Sequence, residues 1–360
     1  MIRLLLAVTI STSISLLGTK YLIKWLSSKG IGQPIRKDGP GGHQTKVGTP
    51  TMGGIAVVLG AFVAYIISDL YNGIYTRSGL FVMLAILGAG LVGFLDDWIK
   101  IRNARNLGLN KKMKIIGLST VAFGFAILMV LFTDVHTEVS FTRWDSISFD
   151  LGPIGWVFWA AFIIIAMSNA VNLTDGLDGL AAGSSTLCFS AFTVISFWAF
   201  RHPEIYELDH ALDLAVVAVS MLGACVGFLW WNAAPAKIFM GDTGSLAIGT
   251  ALGCLGLATN TQLLLPIICG IFVLETISVV VQIVGYRWMN QRRIFRMAPF
   301  HHHFELHGWP ETTVIVRFWI ISGFFVAIAL GIFYADFVEV SDLRDCLLYT
   351  SPSPRDAQLS

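Results

Sequence analysis

Long runs of apolar residues dominate this chain, and several of them reach the ~20 residues that a helix needs to cross a bilayer. Hydrophobic residues make up 55% of the 360 residues and charged residues only 13%, whereas soluble domains carry about a quarter charged residues. The runs are continuous rather than alternating, which favours helices over a transmembrane barrel. The sequence therefore predicts an all-α polytopic integral membrane protein with about ten transmembrane helices.

The ten predicted segments differ in length, and the eighth is the shortest. They are Ile2–Trp25, Met52–Leu70, Gly79–Leu95, Ile115–Phe132, Ile154–Val171, Leu180–Phe200, Leu214–Trp230, Ser245–Ala258, Leu263–Tyr286 and Val314–Ala335. We interpret residues 1–338 as a single membrane domain and residues 339–360 as a disordered or artefactual tail, because the apolar pattern ends there.

Basic residues are concentrated in alternate connections between these segments. By the positive-inside rule those connections face the cytoplasm, which places both termini on the periplasmic or extracellular side of the membrane. The basic residues that support this orientation are Lys29, Arg36, Lys37 and Lys46 after the first segment, Lys100, Arg102, Arg105, Lys111, Lys112 and Lys114 after the third, Lys237 after the seventh, and Arg287, Arg292, Arg293 and Arg296 after the ninth.

Three acidic motifs lie at segment ends, all on the side predicted to be cytoplasmic. Asp96 and Asp97 end the third segment, the stretch Asn172–Gly179 follows the fifth, and Asp242 precedes the eighth. Carboxylates near a bilayer are costly and commonly functional. Motifs without a common role would have been divided between the two sides, so their convergence predicts one active site on the cytoplasmic face.

The adjacent pair Asp96 and Asp97 allows three chemical roles. The two carboxyl groups can be metal ligands, can share a proton, or can place a base beside a ligand. The alternative is an ordinary helix end that meets water, although the helix dipole disfavours acids at a C-terminus.

In the stretch Asn172–Gly179, Asp175 and Asp178 are three residues apart and would share a face if the turn is helical. The glycines allow a ligand to approach the backbone closely. The alternative is an interhelical turn in which one aspartate caps a helix.

Asp242 is flanked by glycine at a predicted helix start. A helix N-terminus binds phosphate through its free N–H groups, and an aspartate there can hold Mg²⁺ against that phosphate. Simple N-capping by Asp242 or Thr243 is the alternative.

Asn232 and Phe239 lie in the connection before Asp242, beside Lys237. An amide and an aromatic ring near a phosphate site suit a nucleobase, which is recognised by hydrogen bonds and stacking. An aromatic residue at the membrane interface is an equally good interpretation.

A histidine triplet, His301, His302 and His303, follows the ninth segment. Three consecutive residues cannot all face one zinc ion from a regular helix, so a hydrogen-bonding anion cradle fits better than a zinc site. Lys46 and Lys114 add charge to the same side, although binding to anionic lipid headgroups would also explain them. Within the ninth segment, Glu275 can pair across helices and Gln282 can reach the site.

At these motifs the chain resembles the bacterial phospho-N-acetylmuramoyl-pentapeptide transferases, within the polyprenyl-phosphate phosphosugar transferase superfamily. The resemblance extends from about Leu22 to Tyr334. Its matching stretches are Gly48–Gly54, Gly93–Asp97, Asn169–Gly179, Phe228–Asn232, Phe239–Ser245 and Arg296–Glu305. The superfamily shares the paired aspartates and the Asn172–Gly179 pattern, whereas the histidine triplet points to this branch.

The resemblance implies an Mg²⁺-dependent transfer of phospho-N-acetylmuramoyl-pentapeptide from its UDP donor to undecaprenyl phosphate. It implies a membrane-embedded homodimer and no nucleic-acid partner. For the site it implies Asp242, Asp96 and Asp97 as catalytic residues and metal ligands. The substrate-binding residues that it implies are Lys46, Lys114, Asn172, Asp175, Asp178, Asn232, Phe239, Gln282, His301, His302 and His303.

Two rival functions remain open from the sequence. The first is a sibling transferase that uses UDP-N-acetylglucosamine, against which the histidine triplet argues. The second is a membrane transporter, which would place charges near the bilayer midplane and would break helices in paired halves. Glu275 is the one convincing acid within a predicted span, so the transporter is the weaker rival.

Overall fold

The computed structural model describes residues 1–30, 48–70, 75–103, 108–147, 149–288 and 293–350. Over these residues the regular structure is helical, apart from one isolated antiparallel bridge between Glu138 and Asp150. The predicted all-α fold class is therefore confirmed. The helices are α1 Ile2–Ser28, α2 Gly54–Leu70, α3 Arg77–Arg102, α4 Lys111–Phe132, α5 Gly152–Thr174, α6 Leu180–Arg201, α7 Pro203–Tyr206, α8 Ala211–Asn232, α9 Gly241–Ala258, α10 Leu265–Ile268, α11 Gly270–Trp288, α12 Phe300–Glu305 and α13 Glu311–Thr350.

Eight of the described helices are long and apolar enough to cross a membrane, as expected of a polytopic membrane protein. They are α1, α3, α4, α5, α6, α8, α11 and α13. The second and eighth predicted segments form the shorter helices α2 and α9. The count of ten spans and the orientation of the termini stay predictions.

The ninth predicted segment is not one helix. The chain forms the short helix α10, which has a proline near its start, and after Cys269 it begins α11 at Gly270. Gly270 lies directly against the Phe325 ring of α13, where a β-carbon would have no room. The predicted span Leu263–Tyr286 is therefore divided at Cys269 into two helices. Continuous hydropathy does not record this local packing.

The last helix, α13, runs through Thr350 and so passes the predicted domain end at residue 338. Residues 351–360 lie outside the described part of the chain. The division between a membrane domain and a tail stays a prediction.

Helix α9 lies at the centre of the bundle, where every residue from Thr243 to Ala258 is buried. Small residues permit this packing, as is common between membrane helices. Gly54 of α2 meets the backbone of Gly244, and Gly93 of α3 meets the carbonyl of Asp242, both without space for a β-carbon. These contacts place the first turn of α9 against the C-terminal end of α3.

A buried polar network joins four helices around Asp213, close to the N-terminal ends of α1, α3 and α8. Its carboxylate lies 3.3 Å from the Arg3 guanidinium and accepts a hydrogen bond of 3.0 Å from the Tyr65 hydroxyl. It also accepts bonds from the backbone N–H and the hydroxyl of Thr76, at 3.0 and 2.6 Å. Side chains of Arg3 and Asp213 are 5% and 1% exposed, so water cannot replace these bonds.

Replacement of Asp213 by asparagine should lower the free energy of unfolding by roughly 3 kcal/mol, because the variant loses a buried ion pair and an acceptor for Thr76. Thermal unfolding in detergent micelles, followed by tryptophan fluorescence, measures the change. Asp145→Asn is the matched control, since Asp145 pairs with Arg143 on the surface and is 40% exposed. Its expected cost is about 0–1 kcal/mol. Equal losses in the two variants would contradict the importance of the buried network.

Candidate active site

The first turn of α9 is capped by an acid from another helix. The Asp97 carboxylate of α3 accepts hydrogen bonds from the backbone N–H groups of Asp242 and Thr243, at 3.1 and 3.0 Å, and from the Thr243 hydroxyl at 2.8 Å. Met240, at the N-cap position, makes no side-chain cap bond. Capping by the side chain of Asp242 or Thr243, one of the sequence alternatives, is thus replaced by capping from Asp97.

Asp242 accepts hydrogen bonds from three side chains that belong to three other helices. One carboxylate oxygen accepts hydrogen bonds from Lys100 Nζ and Lys114 Nζ, at 2.9 and 2.8 Å. The other accepts a bond of 2.8 Å from Asn172 Nδ2, which also donates to the Ser245 hydroxyl at 2.8 Å. The predicted site residues Asp242, Lys114 and Asn172 are therefore in direct contact although they belong to three helices.

Lys100 lies among three carboxylates. Its ammonium is 2.6 Å from Asp96, 3.6 Å from Asp97 and 2.9 Å from Asp242. One ligand oxygen from each of these three aspartates lies within 4.8 Å of the others. The ammonium occupies the position that a cation would take between these oxygens.

This donor set fits a hard divalent cation. Mg²⁺ prefers carboxylate oxygens and retains several waters. The three aspartates carry a formal charge of −3, which Lys100 and Lys114 reduce to −1. The N-terminus of α9 also favours anions at this position. All three carboxylates already have polar partners close to both oxygens, but each of these oxygens has a second lone pair that a cation can use.

The stretch after α5 forms turns, so Asp175 and Asp178 do not share a helical face. Asp175 is the C-cap of α5. Burial raises the pKa of Asp175 to about 8, with further contributions from the Asp242, Asp97 and Asp178 carboxylates. Asp175 can therefore hold a proton at neutral pH and donate a hydrogen bond.

Asp178 joins this turn to two other elements. Its carboxylate accepts a 3.0 Å bond from the Ala236 N–H, and its own N–H donates to Glu311 of α13 at 3.2 Å. The turn is thereby bonded to the connection that carries Asn232 and Phe239.

Asn232 is the last residue of α8, where that connection begins, and Phe239 lies near its other end, two residues before α9. Asn232 Nδ2 donates to the Ile238 carbonyl at 2.9 Å, while its Oδ1 is buried and has no hydrogen-bond partner among the described residues. The Phe239 ring is half-buried, and its backbone bonds to Pro50 and Gly53 at 2.8 and 2.9 Å. An unused acceptor beside an accessible ring is compatible with a bound nucleobase.

The three histidines have different surroundings. His301 is fully buried, with Nδ1 3.2 Å from Glu275 and Nε2 against Gly176. His302 Nδ1 lies 2.7 Å from Glu305, and His303 accepts a 3.1 Å bond from the backbone N–H of Arg296. Burial, with charge from His307 and Arg296, lowers the pKa of His303. Nδ1 of His303 is thus a hydrogen-bond acceptor, and His301 touches the Asn172–Gly179 stretch at Gly176.

The Gln282 side chain binds the backbone of Phe295, in the loop after α11. Its amide accepts a 2.9 Å bond from the Phe295 N–H and donates to the Phe295 carbonyl at 3.0 Å. It lines a cleft of about 500 Å³ together with Tyr286 and Arg293. Lys46 lies outside the described residues.

Two residues of the site were not selected from the sequence. Lys100 was counted only as a topology marker, although its spacing of four from Asp96 and three from Asp97 on a helix brings the three side chains together. Glu275 was considered only as an interhelical partner, and no local pattern links it to His301.

The comparisons with known proteins agree with one another. The sequence profile described as glycosyl transferase family 4 matches residues 79–260. A phospho-N-acetylmuramoyl-pentapeptide-transferase of Frankia alni is 49% identical over 350 residues, which cover 93% of this chain and 98% of the relative. Proteins of the same name from Streptomyces avermitilis and Cutibacterium acnes are 50% and 47% identical, over 92% and 93% of this chain and 98% and 99% of theirs.

Replacement of Lys100 by methionine should tighten the binding of Mn²⁺, used as a spectroscopic probe for Mg²⁺, by about tenfold, or ~1.4 kcal/mol. The variant removes the ammonium that competes for all three carboxylates. Mn²⁺ titration monitored by electron paramagnetic resonance, without substrate, measures the affinity.

Lys114→Met is the matched control for that titration, since Lys114 contacts only Asp242 among the three carboxylates. The expected increase in affinity is smaller there. Unchanged or weaker Mn²⁺ binding in Lys100→Met would contradict a cation site between the three aspartates.

Proposed function

The chain belongs to the phospho-N-acetylmuramoyl-pentapeptide transferases, in glycosyl transferase family 4, and we propose that it makes lipid I by direct transfer at the carboxylate cluster of Asp96, Asp97 and Asp242. Its substrates are UDP-N-acetylmuramoyl-pentapeptide and a polyprenyl phosphate, which we take to be undecaprenyl phosphate. The observation that carries the proposal is the convergence of three separate sequence motifs on Asp242.

The proposed reaction exchanges one phosphorus–oxygen bond for another. An oxygen of the lipid phosphate attacks the sugar-linked phosphorus of the UDP donor. The bond from that phosphorus to the bridging oxygen breaks, and this oxygen leaves with UMP. The product is undecaprenyl-pyrophosphoryl-N-acetylmuramoyl-pentapeptide. A phosphate with a second pKa near ~6 is already ionised at neutral pH, so the lipid needs little help from a base.

Mg²⁺, when bound, offsets the negative charge of the two reactants. We assign Asp242, Asp96 and Asp97 as the ligands, with Asp97 also holding the first turn of α9 in place. Asp96, which lies 2.6 Å from Lys100, is also proposed to position the lipid phosphate. Direct attack is preferred over a covalent aspartyl intermediate, because the Asp97 and Asp242 carboxylates are already bound on both oxygens.

The remaining residues are proposed to bind substrate. Asn172 and Asp175 hold the pyrophosphate and sugar, and Lys114 and Lys46 neutralise phosphate. Asn232, Asp178 and Phe239 recognise uracil, with Phe239 stacking on its face. The histidines His301, His302 and His303 serve the phosphate or sugar side, and Gln282 supports the adjacent loop.

The same proposal covers the cellular setting. Ten spans, with both termini on the outer side, would place the carboxylate cluster on the cytoplasmic face of the bacterial cytoplasmic membrane, where the nucleotide donor is found. A homodimer is the expected assembly.

Wild-type protein in detergent should form lipid I from radiolabelled donor in the presence of Mg²⁺, and Asp242→Asn should reduce the rate by at least about a hundredfold, because charge stabilisation of the transferred group is lost. Asp145→Asn, at a surface pair outside the site, is the control and should retain wild-type activity. Transfer of the sugar phosphate from UDP-N-acetylglucosamine instead would favour the sibling transferase, and activity with neither donor would refute both.

Replacement of Phe239 by leucine should raise the KM for the UDP donor about tenfold, since stacking on a base contributes ~1–3 kcal/mol. The KM for undecaprenyl phosphate should stay unchanged. Steady-state kinetics with each substrate varied in turn separates the two constants. Equal changes in both would indicate that Phe239 only supports the fold.

A further inference from the structure

Glu275 is a fully buried carboxylate within α11 that no step of the proposed reaction uses. Its two oxygens accept hydrogen bonds from the backbone N–H groups of Phe300 and His301, at 2.7 and 3.2 Å. The same carboxylate lies 3.2 Å from Nδ1 of the His301 ring. Glu275 therefore contacts both the backbone at the start of α12 and the imidazole ring of His301, the second residue of that helix.

The opposite edge of the His301 ring meets the substrate turn. Nε2 lies against Gly176 so closely that a β-carbon on this residue would collide with it. Gly176 follows Asp175, within the Asn172–Gly179 stretch. Among the described residues neither Nε2 nor Nδ1 of this ring has a hydrogen-bond partner, although the ring is completely buried, so close packing against Glu275 and Gly176 holds it. His301 is therefore held between a fixed carboxylate and the turn that carries Asp175 and Asp178.

We propose that Glu275 is a positioning residue for donor binding: it fixes the place and the ring orientation of His301, which in turn holds the Asn172–Gly179 turn in its binding conformation. A carboxylate beside one ring nitrogen sets which nitrogen carries the proton and how the ring lies. This proposal rests on the proposed function, in which that turn binds the pyrophosphate and sugar of the UDP donor.

The contacts explain why a carboxylate is required at position 275. Two backbone N–H groups donate to the two oxygens, one to each, and Nδ1 of the His301 ring lies 3.2 Å from one of these oxygens without making a hydrogen bond. A glutamine would keep the size but replace one acceptor by an NH₂ group, which cannot accept a bond. One of the donors would then lose its partner, and the start of α12 would shift with the ring.

Glu275→Gln should raise the KM for UDP-N-acetylmuramoyl-pentapeptide about 10- to 100-fold, the range seen when the group that orients a functional histidine is removed. The KM for undecaprenyl phosphate should remain within about twofold of wild type. Ser278→Ala is the matched control: Ser278 is buried one turn along α11 and donates only to the Glu275 carbonyl. Its kinetic constants should be those of wild type.

A double-mutant cycle separates positioning from general packing. If Glu275 acts through His301, then Glu275→Gln should have little further effect in a His301→Gln background, because coupled residues are not additive. Independent, additive effects would overturn the proposal, as would equal increases in the KM of both substrates.

Gly176→Ala tests the same contact from the other side and leaves Glu275 intact. Its β-carbon would displace the ring, so the same selective increase in the donor KM is expected, and an unchanged donor KM would overturn the proposal. This variant decides the question even if Glu275→Gln fails to fold. Failure of the proposed function is recognised separately, since the wild-type protein would then form no lipid I.

Discussion

The hydrogen bonds between the Asp97 carboxylate and the first N–H groups of α9 determine where the site can form. Helix α9 is buried from Thr243 to Ala258, and the N–H groups of its first turn have no acceptor within the helix itself. Asp97, at the end of α3, supplies the missing acceptors. Asp242 lies in the first turn of α9, so this capping also fixes its carboxylate beside Asp96 and Lys100. The architecture of the bundle and the geometry of the cluster thus depend on one contact.

That contact also concentrates negative charge, and the nearby lysines make the arrangement stable. Three carboxylates within 4.8 Å would repel one another strongly without cations. Lys100 and Lys114 offset most of this charge, and the α9 dipole contributes further. Two anionic substrates must nevertheless enter the same place. A divalent cation that exchanges with the Lys100 ammonium would leave the lysine available to a substrate phosphate, so the cluster is balanced both with and without substrate.

Hydropathy predicted the all-helical membrane fold, because membrane helices are selected by length and apolarity. The orientation that charge asymmetry indicates stays a prediction. The break at Cys269, beside the contact between Gly270 and Phe325, was missed because the hydropathy is continuous across it. The motifs identified Asp242, Asn172 and Lys114, which the structure brings together. Lys100 could have been selected from the sequence, because it lies four residues after Asp96 and three after Asp97 on one helix. The roles of Asp97 as a cap and of Glu275 beside His301 depend on contacts between distant segments, which a single sequence does not encode locally.

Within the described part of the chain, at least three buried carboxylates accept hydrogen bonds from the start of a helix to which they do not belong. Asp213 of α8 accepts from Thr76 before α3, Asp97 of α3 accepts from α9, and Glu275 of α11 accepts from α12. In a bilayer the free N–H groups at a helix start must be satisfied within the protein, and a buried acid from a neighbour does this while binding the two helices together. Because each acid is fixed by its bonds to another helix, two of them also hold functional groups, Asp242 and His301, in place. The polar groups that permit folding in lipid are thus the same groups that orient the site.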